Sequence, residues 1–323
     1  MVDNVDVLGI GTLMTVFSAV GALFLSVKIF YALLAFYKIF LRPEKNLKKF
    51  GEWAVVTGAT DGIGKAYAFA LAEKRLNIVL ISRTESKLKE VAKQIKEKYG
   101  VQTKHVVCDF SKFDQIARDS VEKVIKDLNV GVLINNVGIS YRYPVYFHEL
   151  DDKIVTQLIE MNVNSTVYMT RMVLGDMLEQ RKGAIVNISS GSAMYTLPLL
   201  AEYSGAKSFI EKFSRALNAE YASKGVTCQC QIPFYVATKL AKMRKSLMVP
   251  TPKEYVDAAI KHIGHNDAVV SPIFPHALQG YILDHLPEWL IIRIINGMHL
   301  AIRKKGLKKD ARLAVESAGK KSE

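Results

Sequence analysis

The stretch Thr57-Gly58-Ala59-Thr60-Asp61-Gly62-Ile63-Gly64 constrains the fold of this chain more than any other segment. It follows an apolar run over 53–57 that reads as a short buried strand. It precedes an apolar-patterned segment over 65–73 that reads as a helix. Gly58 and Gly62 let backbone come close to a bound pyrophosphate, and the helix start offers free N–H groups and the positive end of its dipole. The spacing is G-x-x-x-G-x-G rather than G-x-G-x-x-G.

Downstream the pattern alternates. Predicted strands at 77–82, 102–108, 132–135, 184–189 and 226–232 are separated by predicted helices at 86–99, 113–128, 150–179 and 201–224. Such alternation implies an α/β fold with a doubly wound, Rossmann-like parallel sheet, and a ligand above the C-terminal strand ends. Gly58, Asn135, Ser190 and Pro233 all fall at those ends, so one crevice collects them.

Tyr203 and Lys207 lie four residues apart, with Ser190 thirteen residues before the tyrosine. A helix puts such a pair on one face. A free phenol ionises near pH ~10, so acid–base work at neutral pH calls for a nearby cation that favours the phenolate. Ser190 closes a predicted strand and is placed to hydrogen-bond a carbonyl oxygen beside the phenol. A Tyr-x-x-x-Lys pair alone is weak, because most such pairs sit on solvated helix faces.

Taken together, residues 53–270 resemble the short-chain dehydrogenase/reductase family. Its T-G-x-x-x-G-x-G matches residues 57–64, and its N-N-A-G appears as Asn135-Asn136-Val137-Gly138. Its helix Asn, Ser, Tyr and Lys match Asn162, Ser190, Tyr203 and Lys207. Its P-G is replaced by Pro233-Phe234, while Thr238 fits the later Thr. The resemblance implies that Tyr203 donates a proton to a ketone oxygen positioned by Ser190. Lys207 would bind the nicotinamide ribose and lower the tyrosine pKa, and Asn162 would hold a relay water. Gly58, Thr60, Asp61, Gly62, Ile63, Gly64, Asp109 (at the adenine), Asn135 and Thr238 would complete the cofactor site with Tyr203 and Lys207. It also implies a homodimer packed through the helices at 150–179 and 201–224.

The ends of the chain point to a membrane. Residues 8–27 form a twenty-residue run without a charge, and as a helix it rises ~30 Å, enough to cross the hydrocarbon core. Lys28, Lys38, Arg42, Lys45, Lys48 and Lys49 all follow it, which predicts a luminal N-terminus and a cytosolic catalytic domain. Asp3 and Asp6 before the run argue against a cleaved signal peptide. The net charge of +13 collects beside apolar segments, with eight Lys or Arg against three acids from Arg303 to Glu323. That distribution suits an anionic bilayer and not nucleic acid. Residues 289–302 read as an amphipathic helix, either on the membrane or docked on the core, and no order is expected beyond Leu307. The terminal Lys320-Lys321-Ser322-Glu323 resembles the K-K-x-x signal that retrieves membrane proteins to the endoplasmic reticulum. The expected organisation is an anchor with basic flank at 1–45, an NADP-binding catalytic domain at 46–280, and an amphipathic helix with basic tail at 281–323. Cys108, Cys228 and Cys230 are expected as reduced thiols. His262 and His265 have no companions that would make a metal site.

The segments N-N-V-G, Ile81-Ser82-Arg83-Thr84 and Pro233–Leu240, with the anchor, resemble one subgroup. It contains the microsomal very-long-chain 3-oxoacyl-CoA reductases and 17β-hydroxysteroid dehydrogenase type 12. That resemblance implies reduction of long-chain 3-oxoacyl-CoA in fatty-acid elongation, with elongation-complex proteins as partners. Met194, Tyr195, Leu197 and residues 237–249 are candidates for an apolar pocket. Lys239, Lys242, Arg244 and Lys245 could meet CoA phosphates, or form a solvated or membrane-facing surface. Two alternatives stay open: a steroid-ketone reductase, and a catalytically idle NADPH-binding scaffold, against which the intact set of four residues speaks.

Cofactor choice follows from charge. An NAD site usually places a carboxylate at the end of the second strand, whereas this chain has Arg83 there, with Lys87 one helical turn on. A guanidinium pairs with a ribose 2′-phosphate that a carboxylate would repel. The expected cofactor is NADPH/NADP. Arg83→Asp should shift the ratio of initial rates with NADPH and NADH toward NADH; an unchanged ratio would remove Arg83 from this role.

Overall fold

The computed structural model describes residues 3–241 and 243–319, which divide into two units, 1–43 and 44–323. Lys242 and the Lys320–Glu323 signal lie outside the described residues. The first unit is the helix α1 (Asp3–Phe36), continued by a π-helical turn, Tyr37–Leu41. Residues 9–41 form a helix long and apolar enough to cross a membrane, with apolar side chains such as Phe17 and Phe24 exposed along it. Two of its hydroxyls bond back within the helix, Thr15 Oγ1 to Gly11 O (2.9 Å) and Ser26 Oγ to Ala22 O (2.8 Å), which satisfies them without water.

The second unit is built on seven strands: β1 (Trp53–Thr57), β2 (Asn77–Ser82), β3 (Thr103–Val107), β4 (Val130–Asn135), β5 (Gly183–Ile188), β6 (Val226–Gln231) and β7 (Val269–Val270). Among the described residues all of them pair in parallel, in the order β3-β2-β1-β4-β5-β6-β7. The expected doubly wound sheet is therefore observed. Its strand order reverses between β1 and β4, where a crevice opens at the C-terminal edge.

The helices are α2 (Gly62–Glu73), α3 (Glu85–Tyr99), α4 (Gln115–Ile125), α5 (Asp152–Ile159), α6 (Ser165–Glu179), α7 (Ala201–Tyr221), α8 (Pro252–Ala259), α9 (Phe274–Asp284) and α10 (Glu288–Gly319). Every residue of β1, β4 and β5 is buried because helices cover both faces. Alternate side chains serve the two layers. Ala54, Val56, Val132 and Ile134 pack with Tyr67 and Leu71 of α2 and Tyr255 of α8. Val55, Leu133 and Ile185 pack with Val121 of α4 and Met169 and Met177 of α6.

Two expectations need correction. The single helix expected over 150–179 is interrupted by a π-helical segment, Glu160–Asn164. Here Asn162 Nδ2 donates to Leu158 O (3.0 Å) and also to Ile139 O (2.9 Å) outside the helix. The tail expected to lose order beyond Leu307 is helical to Gly319. Tyr143 donates to Asp310 Oδ2 (2.8 Å), and Arg312 pairs with Glu316 at i,i+4 (2.8 Å).

The closest backbone approach in the glycine turn is at Gly64, where a Cβ would lie 2.3 Å from Gly58 O. Gly64→Ala should push α2 off β1 and lower stability by roughly 1–3 kcal/mol, read by chemical denaturation, with weaker NADPH binding. An unchanged midpoint would show that the turn has room the structure denies it.

Candidate active site

β5 and α7 build the reacting end of the crevice. Ser189 Oγ donates to Lys207 O (2.8 Å), which ties α7 to the end of β5. Ser190 follows, and its Oγ accepts from Ser192 N (3.2 Å) in a 3₁₀ turn, Gly191–Ala193. In the first turn of α7, Tyr203 lies beside the Ser190 and Ser192 side chains. Lys207 is buried, its Nζ donates to Ile188 O (3.1 Å), and it lies 5.9 Å from the Tyr203 ring centre.

Gly138 explains how Asn162 joins this group. A Cβ at Gly138 would stand 2.5 Å from Asn162 Oδ1 and 3.2 Å from Lys207 Nζ, so the missing side chain leaves the gap between them. Asn162 is held by its two amide bonds, and its Oδ1 is buried with no protein partner. A buried acceptor beside an ammonium is placed to receive a bridging water. The four predicted residues Asn162, Ser190, Tyr203 and Lys207 thus converge on one site.

The electrostatics differ from the sequence expectation in one respect. Lys207 was expected to lower the Tyr203 pKa, but burial raises it, opposed by the Ser190 and Ser192 hydroxyls. Burial also depresses Lys207, to about 8. Both groups are desolvated, and each disfavours its charged form more than its partner supports it.

The glycine turn forms the other end. Gly58 and Gly62 have φ of +64° and +54°, a region costly for other residues. Asp61 caps α2, accepting from Gly62 N (2.8 Å), and Thr60 Oγ1 pairs with Ser82 Oγ (3.0 Å). Ile63 and Gly64 form the first turn of α2. Thr57 Oγ1 accepts from Asn136 N (2.9 Å), which locks the turn to the loop after β4. Thr238 lies over the turn, its Cγ2 3.4 Å from where a Gly62 Cβ would stand.

Arg83 and Lys87 are both exposed. For Asp109, burial raises the carboxyl pKa but is outweighed by hydrogen bonds from Ser111 and the charges of Arg83 and Lys112, so the net shift is downward. Asp61 is lowered as well, chiefly by its hydrogen bond to Lys239 and more distantly by Lys87. Asn135 departs from the expected pattern. Its Nδ2 donates inward to Thr170 Oγ1 (3.0 Å) and Asn187 Oδ1 (2.9 Å), so its side chain serves the interior. Open backbone at the α2 start with Arg83 at the end of β2 fits a phosphorylated dinucleotide.

Met194, Tyr195 and Leu197 line a cavity of about 440 Å³ beside α7, together with Ser204 and Ser208. Among the described residues none of 237–249, expected to share it, is in that lining, and Lys239 instead pairs with Asp61 of the glycine turn (2.6 Å). Lys245 pairs with Glu254 (2.5 Å). Two of the four cations considered for CoA phosphates therefore have carboxylate partners within the chain.

Three residues escaped the sequence reading in whole or part. The Phe234 ring stands 3.0 Å from where a Gly191 Cβ would lie, next to Tyr195 (6.2 Å between ring centres) and His276 (5.7 Å). His276 is fully buried, its Nδ1 accepts from Phe234 N (3.3 Å), and its Nε2 reaches Tyr235 O (3.2 Å). Burial lowers its pKa, consistent with a neutral ring that donates through Nε2. The break at Pro233-Phe234 was the available signal; His276 lies 42 residues from its partner and gave none. Tyr195 donates to Gly280 O (3.0 Å) and Asp284 Oδ1 (2.9 Å), joining the cavity wall to α9.

Comparison with known proteins agrees with this geometry. Residues 52–247 match the family described as short chain dehydrogenase. A very-long-chain 3-oxoacyl-CoA reductase-B of Danio rerio is 44% identical over 90% of this chain and 95% of its own. An inactive hydroxysteroid dehydrogenase-like protein 1 of Homo sapiens is also 44% identical, over 81% and 80%. A 7β-hydroxysteroid dehydrogenase structure superposes with a TM-score of 0.71 at 25% identity, covering 78% of this chain and all of that one. A short-chain dehydrogenase from Sphingobium yanoikuyae in complex with NADPH gives 0.64 at 25% identity, covering 72% and 92%.

The depressed Lys207 makes stability depend on pH. Its burial penalty is fully present below about 8 and is relieved as pH climbs toward the free value of 10.5, because the unfolded chain then holds a proton the folded one has released. Without cofactor, Lys207→Met should therefore be more stable than the parent at neutral pH and lack the rise over that window, while losing turnover. Parallel stability curves would contradict the desolvated lysine.

Proposed function

The chain belongs to the short-chain dehydrogenase/reductase family and uses NADP(H), and from that premise we propose that it reduces the ketone of long-chain 3-oxoacyl-CoA to 3-hydroxyacyl-CoA in fatty-acid elongation. The observation that carries this reading is the likeness, over nearly the whole chain, to a protein named as a very-long-chain 3-oxoacyl-CoA reductase.

In this mechanism bound NADPH supplies the hydride. Ser190 donates a hydrogen bond to the ketone oxygen and holds it against Tyr203, which gives that oxygen its proton. Lys207 would bind the nicotinamide ribose and stabilise the phenolate left behind. Asn162 Oδ1 holds a water that returns a proton toward Lys207 from solvent. Arg83, with Lys87, takes the 2′-phosphate, and Asp109 the adenine. The cavity along Met194–Leu197 receives the apolar part of the substrate.

α1 serves as a membrane anchor in this proposal. The basic residues after it support a cytosolic catalytic unit, and the Lys320-Lys321 motif supports the endoplasmic reticulum as its location. Phe209, exposed on α7 and stacked on Phe213 (5.8 Å), supports a homodimer through α6 and α7. Elongation-complex proteins are the proposed further partners. A second reading, reduction of a steroid ketone, draws on the superposition with a hydroxysteroid dehydrogenase. An idle scaffold is disfavoured despite one relative named inactive, because Asn162, Ser190, Tyr203 and Lys207 are all present and assembled.

NADPH oxidation by detergent-solubilised protein, with a long-chain 3-oxoacyl-CoA and a 17-ketosteroid offered separately, tests the assignment. Turnover of the acyl-CoA is expected, and Tyr203→Phe should reduce it by about 10²–10⁴-fold while NADPH still binds. Turnover of the steroid alone would reverse the two readings.

A further inference from the structure

The sequence left residues 289–302 either on a membrane or on the core, and α10 has a face for each. Its inward face is fixed. Ile291 and His299 are buried, His299 Nδ1 meets Pro198 O (2.6 Å), and Arg303 pairs with Glu149 (2.6 Å). Other apolar side chains face outward. On α9, Leu278, Tyr281 and Ile282 are exposed at i, i+3 and i+4, and on α10 Trp289 (64% exposed), Ile294 and Met298 are exposed too. Just beyond these, Lys304, Lys305, Lys308 and Lys309 are exposed in the next turns of the same helix.

We propose that α9 and the first half of α10 lie in the headgroup–acyl boundary of an anionic bilayer, with the lysines against the headgroups. Charge decides for lipid over a protein partner. No acidic residue occurs between Trp289 and Lys309, and the apolar set carries Tyr281 and Trp289, rings suited to the membrane–water interface. Arg293 within the helix and the pairing of Arg303 with Glu149 keep α10 from spanning. A chain that also carries a helix long and apolar enough to cross a membrane would hold this surface close to lipid, so a modest affinity suffices.

The two tryptophans provide a direct test, because Trp53 is buried in the sheet and Trp289 is exposed. The full chain with Trp53→Phe, reconstituted into vesicles of phosphatidylcholine and phosphatidylglycerol, reports Trp289 alone. Lipids brominated near the headgroup end of the acyl chain should quench most of its emission, while aqueous iodide should quench little. Changing Lys304, Lys305, Lys308 and Lys309 to Glu should reverse that order and leave NADPH turnover in detergent unchanged. Strong iodide quenching in the Trp53→Phe protein would place Trp289 in water and overturn the proposal. A blue-shifted emission that neither agent quenches would assign the surface to a protein partner and overturn it equally.

Discussion

An ammonium group taken out of water must find polar contacts at once, and Lys207 lies where three separate segments meet. The carbonyl of Ile188 comes from the end of β5, Asn162 from the π-helical break, and the gap at Gly138 from the loop after β4. None of these positions is available unless the parallel sheet is in register and the helix at 150–179 gives up its regular ladder. The lysine therefore destabilises the resting fold while marking the place where its chemistry is needed. Burial raises the pKa of the neighbouring phenol too, so the site holds two desolvated groups that a charged, hydrogen-bonding ligand would relieve.

Periodicity and glycine placement made most of the architecture legible. The run into Gly58–Gly64 gave strand, turn and helix together because few other backbones tolerate that glycine spacing, and the alternation of strands with helices along the chain foretold the doubly wound sheet. The break at Asn162 was not legible, since apolar spacing continues through it and does not show the Asn162 side chain bonding Leu158 O within the helix and Ile139 O outside it. The length of α10 was missed because its charged C-terminal half lacks a core pattern; its order comes from contacts with residues far back in sequence, such as Tyr143. Asn135 was read by its position in a motif, and position does not reveal which way a side chain turns.

The substitution at Pro233-Phe234 reorganises more than one loop. A ring in place of the expected glycine fills the space above Gly191, and it needs a partner on its other side, which α9 supplies through His276. Both ring nitrogens are committed to consecutive backbone groups, so the imidazole splints the segment that leads from β6 toward Thr238. Through this stack the turn carrying Ser190 is braced by a helix more than eighty residues further along the chain.

The same dependence on distant sequence sets the order in which the molecule is completed. Pro198 waits for His299, Glu149 for Arg303 and Tyr143 for Asp310, separations of 101, 154 and 167 residues. These contacts brace stretches that precede Tyr203 in sequence, and their far ends, at 299–310, are made after every strand of the sheet. A nascent chain with its sheet already formed would still lack the brace, so the crevice acquires its final shape only once residues 299–310 have been made.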